Sequence, residues 1–245
     1  MTGLVRKATL LAVCGVLAAS VAAANVPDPA NSECVNTGAL TLGLSCPKAI
    51  YVVGDDGAGN ADPVGEFCVT VRDFNNVPIE NSSVIIDFSN CDVQLCFEQD
   101  APGPDINDGV QVDCVSRTVR KLTDASGEAC FSVRGKTKYT GDVCAFTKGC
   151  VEVFADGVFL CALDAPTFDL VNQGGEDGLN PNDLSDWLFL TFNCPEGPYR
   201  GNYDCTNQST VDPNDLSIWL FVNFQGLSAA NCAGAKTVIG PKCPD

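Results

Sequence analysis

The chain repeats itself. Residues 180–193 match residues 212–225 at an offset of 32 positions, and nine of the fourteen pairs are identical. A repeat of this kind marks a duplicated structural unit, since one such unit cannot bury its apolar side alone. Each copy reads as a helix with a defined start. Asn180 or Asp212 stands at the N-cap, and Pro181 or Pro213 follows at the first helical position, where a missing N–H costs nothing. Asp183 or Asp215 falls three residues after the cap and can satisfy exposed backbone donors there. Leu184, Trp187, Leu188 and Phe192 recur at i, i+3, i+4 and i+8, and Leu216, Trp219, Leu220 and Phe224 repeat the pattern. Two such helices, each apolar on one side, are expected to pack against each other.

The chain holds 15 cysteines and no histidine. Its first 24 residues read as a secretory signal peptide: Arg6 and Lys7, an uncharged apolar run from Ala8 to Val21, then Ala22-Ala23-Ala24 as a cleavage site. A lipid anchor would have to sit on Cys14, and Val13 before it fits that cleavage poorly. No other apolar stretch is long enough to cross a bilayer. Removal of residues 1–24 takes Cys14 with it and leaves 14 cysteines, an even number that predicts disulfides in an oxidising compartment. Structural zinc is disfavoured, because the chain has no histidine and no pair of Cys-x-x-Cys motifs. The expected location is therefore secreted, extracellular or cell-surface. Loss of Arg6 and Lys7 lowers the 14 cations to 12 against 31 acids, so the mature net charge is −19. Such a surface repels phosphate backbones and excludes nucleic acid as a partner.

Residues 25–164 have a β texture. Phe67, Val69 and Val71 alternate with Cys68, Thr70 and Arg72, and Ser83 to Phe88 reads as a mostly buried strand. Val110 to Leu122 is one long strand or two short ones. Asp124 to Gly127 form a turn before the alternating Ala129, Phe131 and Val133. Val151–Phe154 and Val158–Leu163 flank Ala155-Asp156-Gly157, a hairpin signal. About seven to nine such strands favour a sandwich. The run Val69 to Ile79, with Asp73, Asn75, Asn76 and Pro78, leads into Asn81 to Phe88, and Thr123-Asp124-Ala125-Ser126-Gly127-Glu128-Ala129-Cys130-Phe131 follows after an interval. These segments resemble the bacterial immunoglobulin-like domains of the invasin and intimin group over about residues 48–164. The resemblance implies an immunoglobulin-like β-sandwich acting as a spacer or adhesive module without catalysis. The ten cysteines from Cys34 to Cys161 depart from it and imply extra stapling.

The duplicated half, residues 165–245, resembles a dockerin type I module over about residues 168–227. That family joins an EF-hand-like calcium loop to a helix in each of two repeats, with oxygens at loop positions 1, 3, 5 and 9 and a carboxylate at 12. The resemblance places Asp204, Thr206, Gln208, Asp212 and Asp215 at these positions in the second copy. It places Asn172, Gly174, Glu176, Asn180 and Asp183 there in the first. The hydrophobic residue at position 8 is Leu179 or Val211. The departures are Asp177 or Ser209 where glycine makes the sharp turn, and Gly174, Thr206 and Gln208 where acidic or amide side chains are usual. They imply weak calcium binding, with the second loop the better of the two. The resemblance also implies a cohesin-like protein partner, contacted near Ser185, Asp186, Ser217 and Ile218. Cys194 and Cys205 flank the link between the repeats and could staple it, with Cys232 and Cys243 closing the tail. Four cysteines allow three connectivities.

The sequence offers little catalytic chemistry. Without histidine there is no Ser-His-Asp triad, no Cys-His pair and no His-ligated metal, and cysteines held in disulfides are not nucleophiles. Paired carboxylates remain the one open route, but the acids lie mostly in turn-rich segments. Residues 54–60 are glycine-rich without the lysine and helix of a phosphate loop. Residues 100–108, acidic and beside two prolines, read as a loop that could hold calcium. Six cations, Arg117, Arg120, Lys121, Arg134, Lys136 and Lys138, cluster in sequence and read as solvated edge strands or as a face for an acidic partner. The expectation is a non-catalytic binding or assembly protein: an immunoglobulin-like spacer carrying a dockerin-like, calcium-stabilised docking module. The alternative is a carbohydrate-binding accessory of an extracellular polysaccharide-degrading complex, which needs exposed aromatics on the sandwich. Tyr51 and Tyr139 are the chief candidates. A calcium-stabilised structural or adhesive surface protein is a third reading.

Overall fold

Turn chemistry cuts the first half of the chain into short strands. The computed structural model describes residues 25–44, 46–53, 63–96, 109–137, 144, 146–170, 181–194, 201–205 and 211–224. The signal-peptide reading, Cys232 and Cys243, and the loops at 54–60 and 100–108 lie outside the described residues. In chain order the elements are β1 (Glu33–Val35), α1 (Thr37–Thr41), β2 (Glu66–Thr70), β3 (Ser83–Asp87), β4 (Val93–Leu95), β5 (Gln111–Asp113) and β6 (Thr118–Leu122). There follow β7 (Glu128–Ser132), β8 (Gly135–Thr137), β9 (Val151–Ala155), β10 (Val158–Leu163), α2 (Pro181–Asn193) and α3 (Pro213–Phe224). The protein is mostly β, its strands form antiparallel ladders, and its helices are few and short. Val110 to Leu122 resolves into two strands, β5 and β6.

Three sheets form among the described residues. One has the order β1-β2-β7, the second β10-β9-β3-β6-β5, and β4 pairs with β8 in the third. Period-2 alternation places the side chains. Phe67, Val69, Ala129 and Phe131 of the first sheet share a core with Val84, Ile86, Val119, Val151 and Val153 of the second. The turn before β7 needs its glycine. Gly127 has φ +77°, and a Cβ there would lie 2.6 Å from the Val71 carbonyl oxygen. Asp124 holds the same turn, its Oδ1 accepting from the backbone N–H of Ser126 and Glu128 at 2.8 and 3.0 Å.

Residues 49–53 run between the two halves of the molecule. The N–H groups of Ile50 and Val52 donate to the carbonyls of Asp164 and Pro166, each at 2.9 Å, and Val53 N–H donates to Val133 at 3.0 Å. These bridges are parallel. Ile50 and Val52 point into the first core, and Ala49, Tyr51 and Val53 point into a second. The second core also takes Phe168, Leu170, Trp187, Leu190, Tyr203, Val211, Trp219 and Val222. Both helices therefore close on residues from the first third of the chain. Tyr51, expected as an exposed aromatic, is fully buried. Tyr139 lies outside the described residues.

The disulfides follow this architecture. Cys34–Cys161 joins β1 to β10, and Cys68–Cys130 joins directly opposed residues of β2 and β7. Cys91 pairs with Cys150. Cys46–Cys205 and Cys144–Cys194 tie the helical half to the β half. Cys194 and Cys205 thus do not staple the link between the repeats, because each pairs with a cysteine of the preceding half. Cys96 and Cys114 are disulfide-bonded as well. These bonds fit an oxidising compartment. No helix among the described residues is long and apolar enough to cross a membrane.

Tyr51 tests the shared core. Its hydroxyl donates to the carbonyl of Tyr203, and its ring meets Phe168 edge-on at 5.7 Å. Truncation by Tyr51→Ala is expected to cost about 3–5 kcal/mol. Tyr51→Phe removes this buried hydrogen bond and is expected to cost ~1–3 kcal/mol. Chemical denaturation with disulfides intact reads both.

Candidate functional site

The second of the duplicated helices begins as the sequence implies. Asp212 caps α3: its Oδ1 accepts from Asn214 N–H at 2.7 Å, and its own N–H donates to Asp215 Oδ2 at 2.8 Å. This reciprocal pair is a capping box. Asn180, the corresponding cap of α2, lies outside the described residues.

The helix faces differ from expectation. The buried positions on α2 are Asp183, Trp187 and Leu190. Their counterparts on α3, Asp215, Trp219 and Val222, are buried too. Leu188 and Phe192, expected on the inner face, are exposed, Phe192 at 80%. The pattern i, i+4, i+7 won over i, i+3, i+4, i+8 because each helix also buries its acid. The indoles reach across the repeats. Trp187 Nε1 donates to the carbonyl of Gly201, ahead of α3, at 3.4 Å, and Trp219 Nε1 donates to that of Phe168, ahead of α2, at 3.3 Å. A Cβ on Gly201 would lie 3.1 Å from the Trp187 ring, so glycine allows this close approach. Between them Phe168 and Tyr203 stack at 4.4 Å with 4° between planes.

Asp215 is the hub of the second copy. It is fully buried, and its Oδ1 accepts from the N–H groups of Tyr203 and Asp204 at 2.6 and 2.9 Å. Burial pushes its carboxyl up to about 6, with the Asp204 charge adding to that and the N–H groups of Asp204, Asp212 and Tyr203 opposing it. Burial, then the charges of Asp215 and Asp204, raise the Tyr51 hydroxyl above its ordinary value. Asp183 does the corresponding work in the first copy, accepting from Leu170 N–H at 2.8 Å. Of the candidate calcium ligands, Asp215 accepts from the backbone N–H groups of Asp204 and Asp212, but among the described residues the three carboxylates do not form a group close enough to share a metal ion. Thr206, Gln208, Asn172, Glu176 and Asn180 lie outside the described residues. The partner-contact candidates Ser185 and Ser217 are exposed on the helices, with their hydroxyls donating to Pro181 and Pro213 carbonyls, and Asp186 and Ile218 are half-buried beside them.

Two further clusters resolve in other ways. Glu66, Cys68 and Cys130 lie close enough to share a metal ion, but the two sulfurs are joined to each other. The cations of residues 117–138 do not form one solvated edge. Arg134 and Lys136 are buried. Arg117 donates to the carbonyls of Cys91 and Ser89, and Lys121 to that of Cys130. Arg120 is exposed, and Lys138 lies outside the described residues. Comparison with known proteins gives no match, whether to a family model, a curated protein or a solved structure.

The raised Asp215 carboxyl predicts a pH dependence. Its folded value lies above the ordinary 3.8, so the folded protein keeps this proton where the unfolded chain has lost it. The stability it contributes is complete below pH 3.8 and is lost as pH rises through about 6. The loss amounts to roughly 3 kcal/mol at most. Unfolding free energies of the native protein and of Asp215→Asn, measured across this range, should converge at neutral pH relative to their separation in acid.

Proposed function

We propose that this chain is an exported, non-catalytic binding and assembly protein, in which an immunoglobulin-like sandwich presents a duplicated, dockerin-like docking module. One observation carries the docking reading. The two copies agree at an exposed apolar position that their own packing does not require. Phe189 equals Phe221, and both rings are exposed, whereas the buried Leu190 has become Val222. Leu188, Phe189, Phe192 and Phe221 are all substantially exposed. Apolar side chains held in solvent in both copies are explained by a partner that covers them. The contact surface then extends beyond Ser185, Asp186, Ser217 and Ile218 to these rings, and the partner is a protein with a cohesin-like apolar face.

Strand order supports the sandwich reading: β2 pairs with β7, β3 with β9 and β9 with β10, and two sheets contribute to one core. Calcium in the second loop is supported by the charge of Asp204 beside the buried carboxyl of Asp215. A cation there would compensate the buried carboxylate of Asp215. The carbohydrate-accessory reading loses Tyr51, which is buried.

The test uses the whole exported chain, because Cys46–Cys205 and Tyr51 bind the helices to the rest of the molecule. Affinity capture from the extracellular fraction of the source should retain one protein, and Phe192→Ser with Phe221→Ser should abolish capture while leaving the unfolding midpoint unchanged. Calorimetric titration with calcium should give heat that Asp204→Ala removes. Capture unaffected by the two phenylalanine substitutions would reject the docking face, and a flat titration would reject the metal.

A further inference from the structure

The five-stranded sheet has an outer face that the second core does not cover. Its strand register defines one continuous row across all five strands. Phe159 opposes Phe154, Phe154 opposes Ile85, Ile85 opposes Arg120, and Arg120 opposes Gln111. Phe159 is 47% exposed, Arg120 and Gln111 are exposed, and Ile85 and Phe154 are half-buried. Phe154 and Phe159 meet edge to face at 5.8 Å. At the other end of the row, Gly109, Gln111, Arg120, Lys121 and Leu122 line a groove.

This row is complementary to itself. Ile85 lies on β3, the middle strand, with β9 and β10 on one side and β6 and β5 on the other. Adjacent strands are about 4.8 Å apart, so Phe154 and Arg120 stand equally far from Ile85, as do Phe159 and Gln111. A two-fold axis along β3 brings Ile85 onto Ile85 of a second copy. It sets each Arg120 over the Phe154 ring of the other, a cation over an aromatic face. It also seats each Phe159 ring at the groove beside Gln111. One apolar ridge, one groove and one exposed cation thus pair in a closed, isologous contact. The acids of the neighbouring row, Glu152, Asp87 and Asp113, stand to one end of this contact. The same axis sets Asp87 against Asp87 of the second copy, a like-charge contact that salt screens.

We propose that this outer face is a homodimer interface, occupied by a second copy of the chain about a two-fold axis through Ile85. The interface is separate from the docking face on the helices. A dimer would present two docking modules to their partners at once.

Sedimentation equilibrium of the exported chain, from micromolar to millimolar concentration, should show a reversible monomer–dimer equilibrium. Arg120→Ala and Phe159→Ser should each weaken it at least about tenfold. Ile85→Lys and Ile85→Glu should each abolish the dimer, since both place like charges on the axis. Mixing those two variants should restore a one-to-one heterodimer, while Phe192→Ser on the helical face should leave the native dimer intact. A chain that stays monomeric throughout, or a dimer indifferent to charge at position 85, would overturn the proposal. So would two Ile85 variants that are folded by circular dichroism yet fail to pair when mixed.

Discussion

Residues 49–53 are buried on both faces, and the rest of the structure depends on them. A strand of this kind has no solvent side, so its alternation is between two interiors. Ile50 and Val52 complete the packing of the β half, and Ala49, Tyr51 and Val53 supply the floor on which the helices rest. Its parallel bonds run to Asp164 and Pro166 on one side and to Val133 on the other. The chain thus returns to itself at two distant points, residues 164–166 and Val133, through one short segment. Cys46–Cys205, closing a separation of 159 residues, fixes the entry to that segment against the loop before α3. Long loops of this kind gain the most from closure in the chain-entropy account.

The two copies of the repeat solve one problem in the same way. A helix starting at a loop has N–H groups without partners, and so does the loop that precedes it. Asp215 answers both, taking the N–H groups of Tyr203, Asp204 and Asp212 on one carboxylate. Asp183 takes that of Leu170. Such a carboxylate is buried by necessity, since the donors it satisfies lie inside. The same placement that makes it a structural hub brings its charge beside Asp204 and lifts its protonation. A cation delivered to this corner, as proposed above, would relieve that repulsion.

Much of this could be read from residues in isolation. The caps at Asp212 and Pro213, the hairpin at Ala155-Asp156-Gly157 and the turn at Gly127 rest on local chemistry, and local chemistry decides them. The β5 and β6 split was left open by a run apolar enough for either form. What the sequence did not disclose is long-range. Cys194 and Cys205 sit close together in the chain, but Cys205 pairs with Cys46 at the entry to residues 49–53 and Cys194 pairs with Cys144, each far off in sequence. The helix face was misjudged for a related reason. Hydrophobic periodicity weighs leucine and phenylalanine as inward and aspartate as outward. Here backbone donors inside the molecule draw Asp183 and Asp215 in, rotating Leu188 and Phe192 out. Tyr51 likewise gave no signal of burial beyond the alternation around it.

That rotation separates packing from function within the repeat. Had Phe189 lined the core, its agreement with Phe221 would follow from packing and would say nothing about a partner. Because both rings are exposed, packing does not explain the agreement. The buried pair Leu190 and Val222 has diverged by one methylene, a change that a core accommodates with small shifts. A surface matched to another protein tolerates less, because the partner cannot adjust to both copies at once. The exposed ring at Phe189 and its equivalent at Phe221 are therefore better evidence of recognition than any buried residue the copies share.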